Sequence, residues 1–371
     1  MITELTARIV SLGTGLIHDR KIRIPFLLTV SVLPRLLWAF YLAPYPFLVP
    51  DELLYPKQGR QYIEAFRNHN LSAFGEAAAQ PPLSKLITGL LANILSLNNM
   101  LATRLQCVIF SSLTCLLLAE ASGPQLGKRK SLIAGVLVSL DPLSITYGLA
   151  QLDSTALFFM LAAFFSFIGG KGCLANVRTG VLTGLACLCK IPSFPIMIFS
   201  FFLTYVHRHG FARSLLLKLG TIMMASMLVV LAGYPSLWPS TISGFDGPKL
   251  LVEDLFRGSA EFATVFDWLQ VAIVSPNQRV FALSTFLSMV LTFPFEISRA
   301  STIPLLLVAS LLWSSVKPMR GSSDMAWASG MWTCSSTLFF WLFSKFRLTT
   351  YSSIMLVPPM TLWILGNIQE R

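Results

Sequence analysis

Two carboxylates stand side by side at Asp51 and Glu52, in the stretch VPDELLY (49–55), where the first long apolar run of the chain ends. Adjacent carboxylates resist double ionisation and can raise one pKa, which suits a side chain that must take a proton. Further charges interrupt apolar sequence: Lys85 in QPPLSKL (80–86), Arg104 at the opening of the next run, Asp153 before STALFF, and Lys190 closing GLACLCK (184–190). Charges in or beside apolar runs are expensive in lipid and are functional candidates by default. Fixed cations suit chemistry in which negative charge develops. Each residue also has a plainer reading. Lys85 and Lys190 can snorkel to lipid phosphates, Arg104 can anchor a span, Asp153 can cap the helix that follows, and Asp141, before Pro142, can mark a kink. The plainer reading fits the adjacent pair least, because two neighbouring carboxylates neither cap two helices nor steady an interfacial turn.

The elements that must position these residues follow from composition. The 371 residues are 54% hydrophobic and 12% charged, against about 25% charged in a soluble domain. Long, non-alternating apolar runs predict a polytopic helical membrane protein rather than a β-barrel. The net charge of +11 fits basic loops held in the cytoplasm. No soluble segment is large enough to offer nucleic acid a basic face. Five of the six cysteines lie in apolar runs and Cys173 in a short basic loop. All six read as small buried hydrophobes, without a disulfide framework or zinc spacing.

Residues 1–23 read as a cytoplasmic interfacial segment, not a cleavable signal. Spans are expected near 24–44, 103–121, 131–148, 154–169, 179–189, 191–206, 216–234, 301–316, 326–343 and 348–366, with 280–296 interfacial. Loop charge leaves open whether 280–296 also spans, so the expected number is about ten, between nine and eleven. Residues 45–102 form a first outer loop with two amphipathic helices, Tyr55–Phe66 and Leu83–Leu97, the second of which could also be a short span, and 235–278 a second outer loop. The fold class is thus all-α, a transmembrane bundle forming one membrane domain over 1–371, with no separate soluble domain.

In order, PDELLY, QPPLSKL, LDPLSITYGLAQLDSTALFF (140–159) and GLACLCK resemble the GT-C membrane glycosyltransferases. The group is the superfamily of protein O-mannosyltransferases and aminoarabinose transferases that use polyprenyl-phosphate sugars. SKFRLTTYSSIMLVPP (344–359) resembles its final outer loop and last span. Gln80 stands where His is common, and Gly148 where many relatives carry Arg.

The resemblance implies a GT-C bundle and inverting transfer of a sugar, mannose first, from a polyprenyl- or dolichyl-phosphate carrier to a protein Ser/Thr hydroxyl. Asp51 matches the base, with Glu52 orienting it or the acceptor. Lys85, Arg104, Lys345, Arg347 and Tyr351 would hold the leaving phosphate, and Asp153 and Lys190 would hold a cation or the substrate. The implied partners are membrane lipids, the lipid-phosphate sugar and a protein or glycan acceptor, with no nucleic acid. The setting is a prokaryotic plasma membrane or the ER membrane, with the site on the non-cytoplasmic face. Carboxylates and phosphate could share Mg²⁺ or Mn²⁺, but nothing forms a ligand cluster and the reading takes no metal. A glycolipid or lipid-linked glycan acceptor fits the same motifs. A transporter fits worst, because no paired repeat is visible and the charges gather at one face.

Overall fold

Among the described residues every regular element is helical, the arrangement that satisfies all backbone polar groups within one segment in lipid. The computed structural model describes residues 15, 17, 19–42, 51–68, 81–141, 144–145, 153–211, 213–238, 324–343 and 356–367. Helix α1 (Arg20–Leu37) starts at Asp19, whose carboxylate accepts the Lys21 amide at 2.8 Å. It passes two prolines and ends in one π-helical turn, Trp38–Leu42. Helices α2 (Asp51–Arg67) and α3 (Leu83–Ile94) pack on each other. Their backbones touch, because a Cβ on Gly59 would fall inside the Lys85 carbonyl and one on Gly89 would lie 2.6 Å from the Gly59 carbonyl carbon. Small residues permit this approach where apolar burial between helices gives no drive.

The bundle continues through α4 (Asn99–Leu126), α5 (Lys128–Leu140), α6 (Asp153–Gly169), α7 (Gly172–Cys189), α8 (Ser193–His209) and α9 (Arg213–Gly233). Asn98 caps α4 by accepting the Leu101 amide at 2.9 Å. Tight turns reverse the chain at Gly127 and Gly210, whose φ values of 81° and 66° favour glycine. Helices α6, α7 and α9 pack side by side, and the Ser226 hydroxyl donates to the Gly180 carbonyl at 2.9 Å. Helices α10 (Asp324–Phe343) and α11 (Val357–Asn367) complete the described chain. The core lies between α4–α6, α8 and α10, with Phe167 stacked on Phe201 at 4.3 Å and Trp332 against Phe164 at 5.2 Å.

Four described helices are long and apolar enough to cross a membrane: Arg20–Phe40, Asn99–Leu126, Gly172–Cys189 and Ser214–Gly233. Several boundaries differ from expectation. Helix α2 begins at Asp51, one turn before the expected Tyr55. Helix α5 stops at Leu140 rather than near 148, where Asp141 accepts the Ser144 amide at 2.8 Å. Cys173 sits in the first turn of α7 rather than in a loop, and is exposed. The expected elements at 280–296 and 301–316 lie outside the described residues, as does nearly all of 235–278.

Candidate functional site

Helices α3, α4 and α6 all begin at the same end of the bundle, and a chain of buried polar contacts joins them there. Thr88 on α3 contacts the Gln106 side-chain oxygen on α4, and Gln106 Nε2 donates to Thr155 Oγ1 on α6 at 2.9 Å. All three residues are fully buried. Lys85 lies one helical turn before Thr88, Arg104 two residues before Gln106, and Asp153 two residues before Thr155. The Thr–Gln–Thr chain therefore brings three of the expected charges to one end.

Asp153 opens α6, where both carboxylate oxygens accept from Lys190 Nζ, just past the end of α7. The Asp153 side chain is 7% exposed and that of Lys190 27%. Lys190 thus pairs within the protein rather than reaching out to lipid. Helix α3 packs on α7, setting Ser84 beside Cys189, which brings the start of α3 to the end of α7. Lys85 is only 3% exposed, with its ammonium 5.8 Å from the centre of the Tyr55 ring on α2. That burial excludes snorkelling. Arg104, 2% exposed, donates from Nη1 to the Ala39 carbonyl at 2.6 Å. Ala39 belongs to the π-helical turn, so Arg104 ties α4 to the end of the span that leads to Asp51.

Asp51 and Glu52 occupy the first two positions of α2, one turn before Tyr55. A helix N-terminus favours carboxylates electrostatically. The pair therefore has a structural reason to be there that the sequence pattern concealed. Burial also raises the phenol of Tyr62, further along α2, above its ordinary range. Lys345, Arg347 and Tyr351 lie outside the described residues, as do Gln80 and Gly148.

Sequence reasoning missed Thr88, Gln106 and Thr155, which are single polar residues in apolar runs and carry no spacing signal. It also passed over Arg35, a fully buried cation within the first span. Arg35 Nη1 donates to the Ser31 and Ser139 carbonyls at 2.8 Å each, and Nη2 to the Val138 carbonyl at 3.3 Å. It closes the C-terminus of α5, where cations are favoured. A charge mid-span is a legible signal.

Residues 79–238 match the family described as dolichyl-phosphate-mannose-protein mannosyltransferase. The segment holds Lys85, Arg104, Asp153 and Lys190, and starts after Asp51 and Glu52. Among solved structures, the chain resembles ArnT from Cupriavidus metallidurans bound to undecaprenyl phosphate, with TM-score 0.60 and 15% identity over 97% of this chain and 60% of that one. It also resembles the Archaeoglobus fulgidus oligosaccharyltransferase complex with Zn and sulfate, with TM-score 0.55 and 17% identity over 92% of this chain and 48% of that one. A third likeness is to AglB from the same archaeon in complex with an inhibitory peptide and a dolichol-phosphate, with TM-score 0.55 and 14% identity over 94% and 50%. The chain shares the GT-C fold of these solved structures. It is a polytopic helical membrane protein, and it spans 48–60% of the length of those three solved chains. No curated protein matches it by sequence.

Proposed function

We propose that this chain is an inverting glycosyltransferase that takes a sugar from a polyprenyl-phosphate carrier on the non-cytoplasmic face of its membrane. The observation that carries the reading is the joining of α3, α4 and α6 at their N-termini, with Lys85, Arg104 and the Asp153–Lys190 pair in place, inside the segment that matches the mannosyltransferase family. Structures of the same fold hold undecaprenyl phosphate and dolichol-phosphate.

In the reaction, an acceptor hydroxyl attacks the sugar C1. The new C1–O bond forms as the bond from C1 to the carrier phosphate breaks, and the hydroxyl proton passes to Asp51, with Glu52 orienting the pair. The released lipid phosphate gains charge, which Lys85 stabilises. Arg104, which holds α4 to Ala39, adds its positive charge. The Asp153 carboxylate sets the position of Lys190. Lys345, Arg347 and Tyr351 are assigned to the same phosphate by the family resemblance. The donor's lipid tail stays in the bilayer while its headgroup enters between the helix ends.

Mannose and a protein Ser/Thr hydroxyl are the donor sugar and acceptor that the family match favours. The resemblance to the aminoarabinose transferases implies a second reading, the same chemistry on a glycolipid or lipid-linked glycan. Purified protein given polyprenyl-phosphate mannose should add one hexose mass to an acceptor peptide. Addition to a lipid-linked glycan alone would select the second reading, and no addition to either would refute mannose transfer. Orientation is tested separately with an impermeant thiol reagent on intact cells. Asn70→Cys and Ser344→Cys should label while Arg129→Cys stays protected, and the opposite pattern would place the site on the cytoplasmic side.

A further inference from the structure

The apolar layer of the bundle is thin. At the start of α6, Asp153 holds Lys190 from the turn between α7 and α8. In the last turns of α6, cations from two neighbouring helices arrive at one level. Arg178 Nε on α7 donates to Ser166 Oγ at 3.0 Å, and Lys218 on α9 lies over the Phe167 ring at 4.2 Å. The rise from Asp153 to Ser166 is about 20 Å. Helix α4 gives a similar spacing. Its Glu120 pairs with Arg20, whose side chain is 72% exposed, and the rise from Arg104 to Glu120 is about 24 Å. On α9 the strongly exposed apolar side chains run from Leu216 through Met224 and Leu228 to Leu231, a rise of about 22 Å.

The helices cannot lengthen to fill a thicker layer. Helices α6, α7 and α8 have 17, 18 and 17 residues, and the chain reverses between them within residues 170–171 and 190–192. Measures from three different helices thus agree on about 20–24 Å, against about 30 Å for the hydrocarbon core of a typical bilayer. Tilt, which averages about 20° in spanning helices, thins the layer further. Flanking cations can recover some of the difference by snorkelling, but Arg178 and Lys218 are engaged on α6 by Ser166 and Phe167. We propose that the lipid partner of this bundle is a phospholipid with short acyl chains, forming a bilayer thinner than the typical one. Longer chains would cover the charged helix ends or have to compress around the protein, and both cost free energy that grows with the mismatch. The preference falls on the acyl chains rather than the headgroup, and it does not depend on the transfer reaction.

The full chain in nanodiscs of dimyristoleoyl-, dioleoyl- or dierucoyl-phosphatidylcholine, which share a headgroup and differ in chain length, tests this by its unfolding midpoint. The midpoint should be highest in the first lipid and fall with each lengthening. Arg178→Leu removes the charge that ends the apolar stretch of α7, and should narrow the gap between the first two lipids. Arg178→Gln, still polar at that place, should keep the gap. From an equimolar mixture, the wild type should retain dimyristoleoyl- over dierucoyl-phosphatidylcholine, read by mass spectrometry of co-purified lipid. A midpoint that is equal in all three lipids, or highest in either longer one, would overturn the proposal. So would an undiminished gap in Arg178→Leu, which would trace the order to the lipids themselves rather than to the span of the protein. Should Arg178→Leu fail to insert, lipid retention by the wild type decides, and no enrichment of the short chains overturns the proposal.

Discussion

The two ends of the bundle hold their charges in opposite ways. Where α3, α4 and α6 begin, Lys85, Arg104 and Asp153 are almost wholly buried, and a buried Thr–Gln–Thr chain fixes the helices that carry them. At the other end, Arg20 and Arg23 share Glu120 at 3.0 and 2.7 Å, while Lys128, Arg129 and Lys171 are exposed at turns. Exposed charges at turns cost little and set orientation. Buried charges cost several kcal/mol each unless paired or hydrogen-bonded, so a chain keeps them where they do something. On the proposed function the difference separates a topogenic end from a chemical one, and substitutions on the two sides should differ accordingly.

The largest effect is expected at the start of α2. Asp51→Asn keeps size and polarity but removes basicity, and should cost about 10²–10⁴-fold in transfer rate while donor binding survives. Glu52→Gln should cost less, and the reverse ranking would move the base to Glu52. Next comes Lys85→Ala, expected to lower the rate by about 10²–10³-fold through lost stabilisation of the leaving phosphate. Arg104→Ala should act similarly and also loosen the tie to Ala39, with Arg104→Lys recovering only part, since one ammonium cannot span what the guanidinium fork spans. A wild-type rate in Lys85→Ala would show that burial of this cation serves packing alone.

These expectations draw on sequence and structure unequally. Long apolar runs and glycine turns made most helices legible, and α4, α6, α7, α8 and α9 each contain their expected runs almost entirely. The end of α5 was misjudged because apolar residues continue past Asp141, where a side-chain-to-amide bond turns the backbone. The candidate charges were visible as interruptions in apolar sequence. Their assembly was not, because it depends on which helices are neighbours, and periodicity along one helix does not carry that. Gln106 and Thr155 are 49 residues apart, and nothing local to either marks the other.

A third prediction sharpens the contrast through stability. Asp153→Asn leaves Lys190 without its carboxylate and should destabilise the protein by about 3 kcal/mol, the low end for a buried pair because Lys190 keeps some solvent. Thermal unfolding in detergent measures this, and a double variant, Asp153→Leu with Lys190→Met, should lose less stability than Asp153→Asn alone. Equal losses would mean that the pair is not coupled. The smallest effect belongs to the other end. Lys171→Gln should change stability by no more than about 0.5 kcal/mol and leave the transfer rate unaltered. A large loss of rate there would erase the distinction between the two ends.

The central claim, that the end where α3, α4 and α6 begin receives the carrier phosphate, is tested most directly by a structure of the full chain with polyprenyl phosphate bound. The account predicts phosphate oxygens about 3 Å from Lys85 Nζ, at charge-assisted hydrogen-bond distance, with the lipid tail leaving between helices into the bilayer. A phosphate seated instead at the opposite end of the bundle, with the α3–α4–α6 end empty, would contradict it.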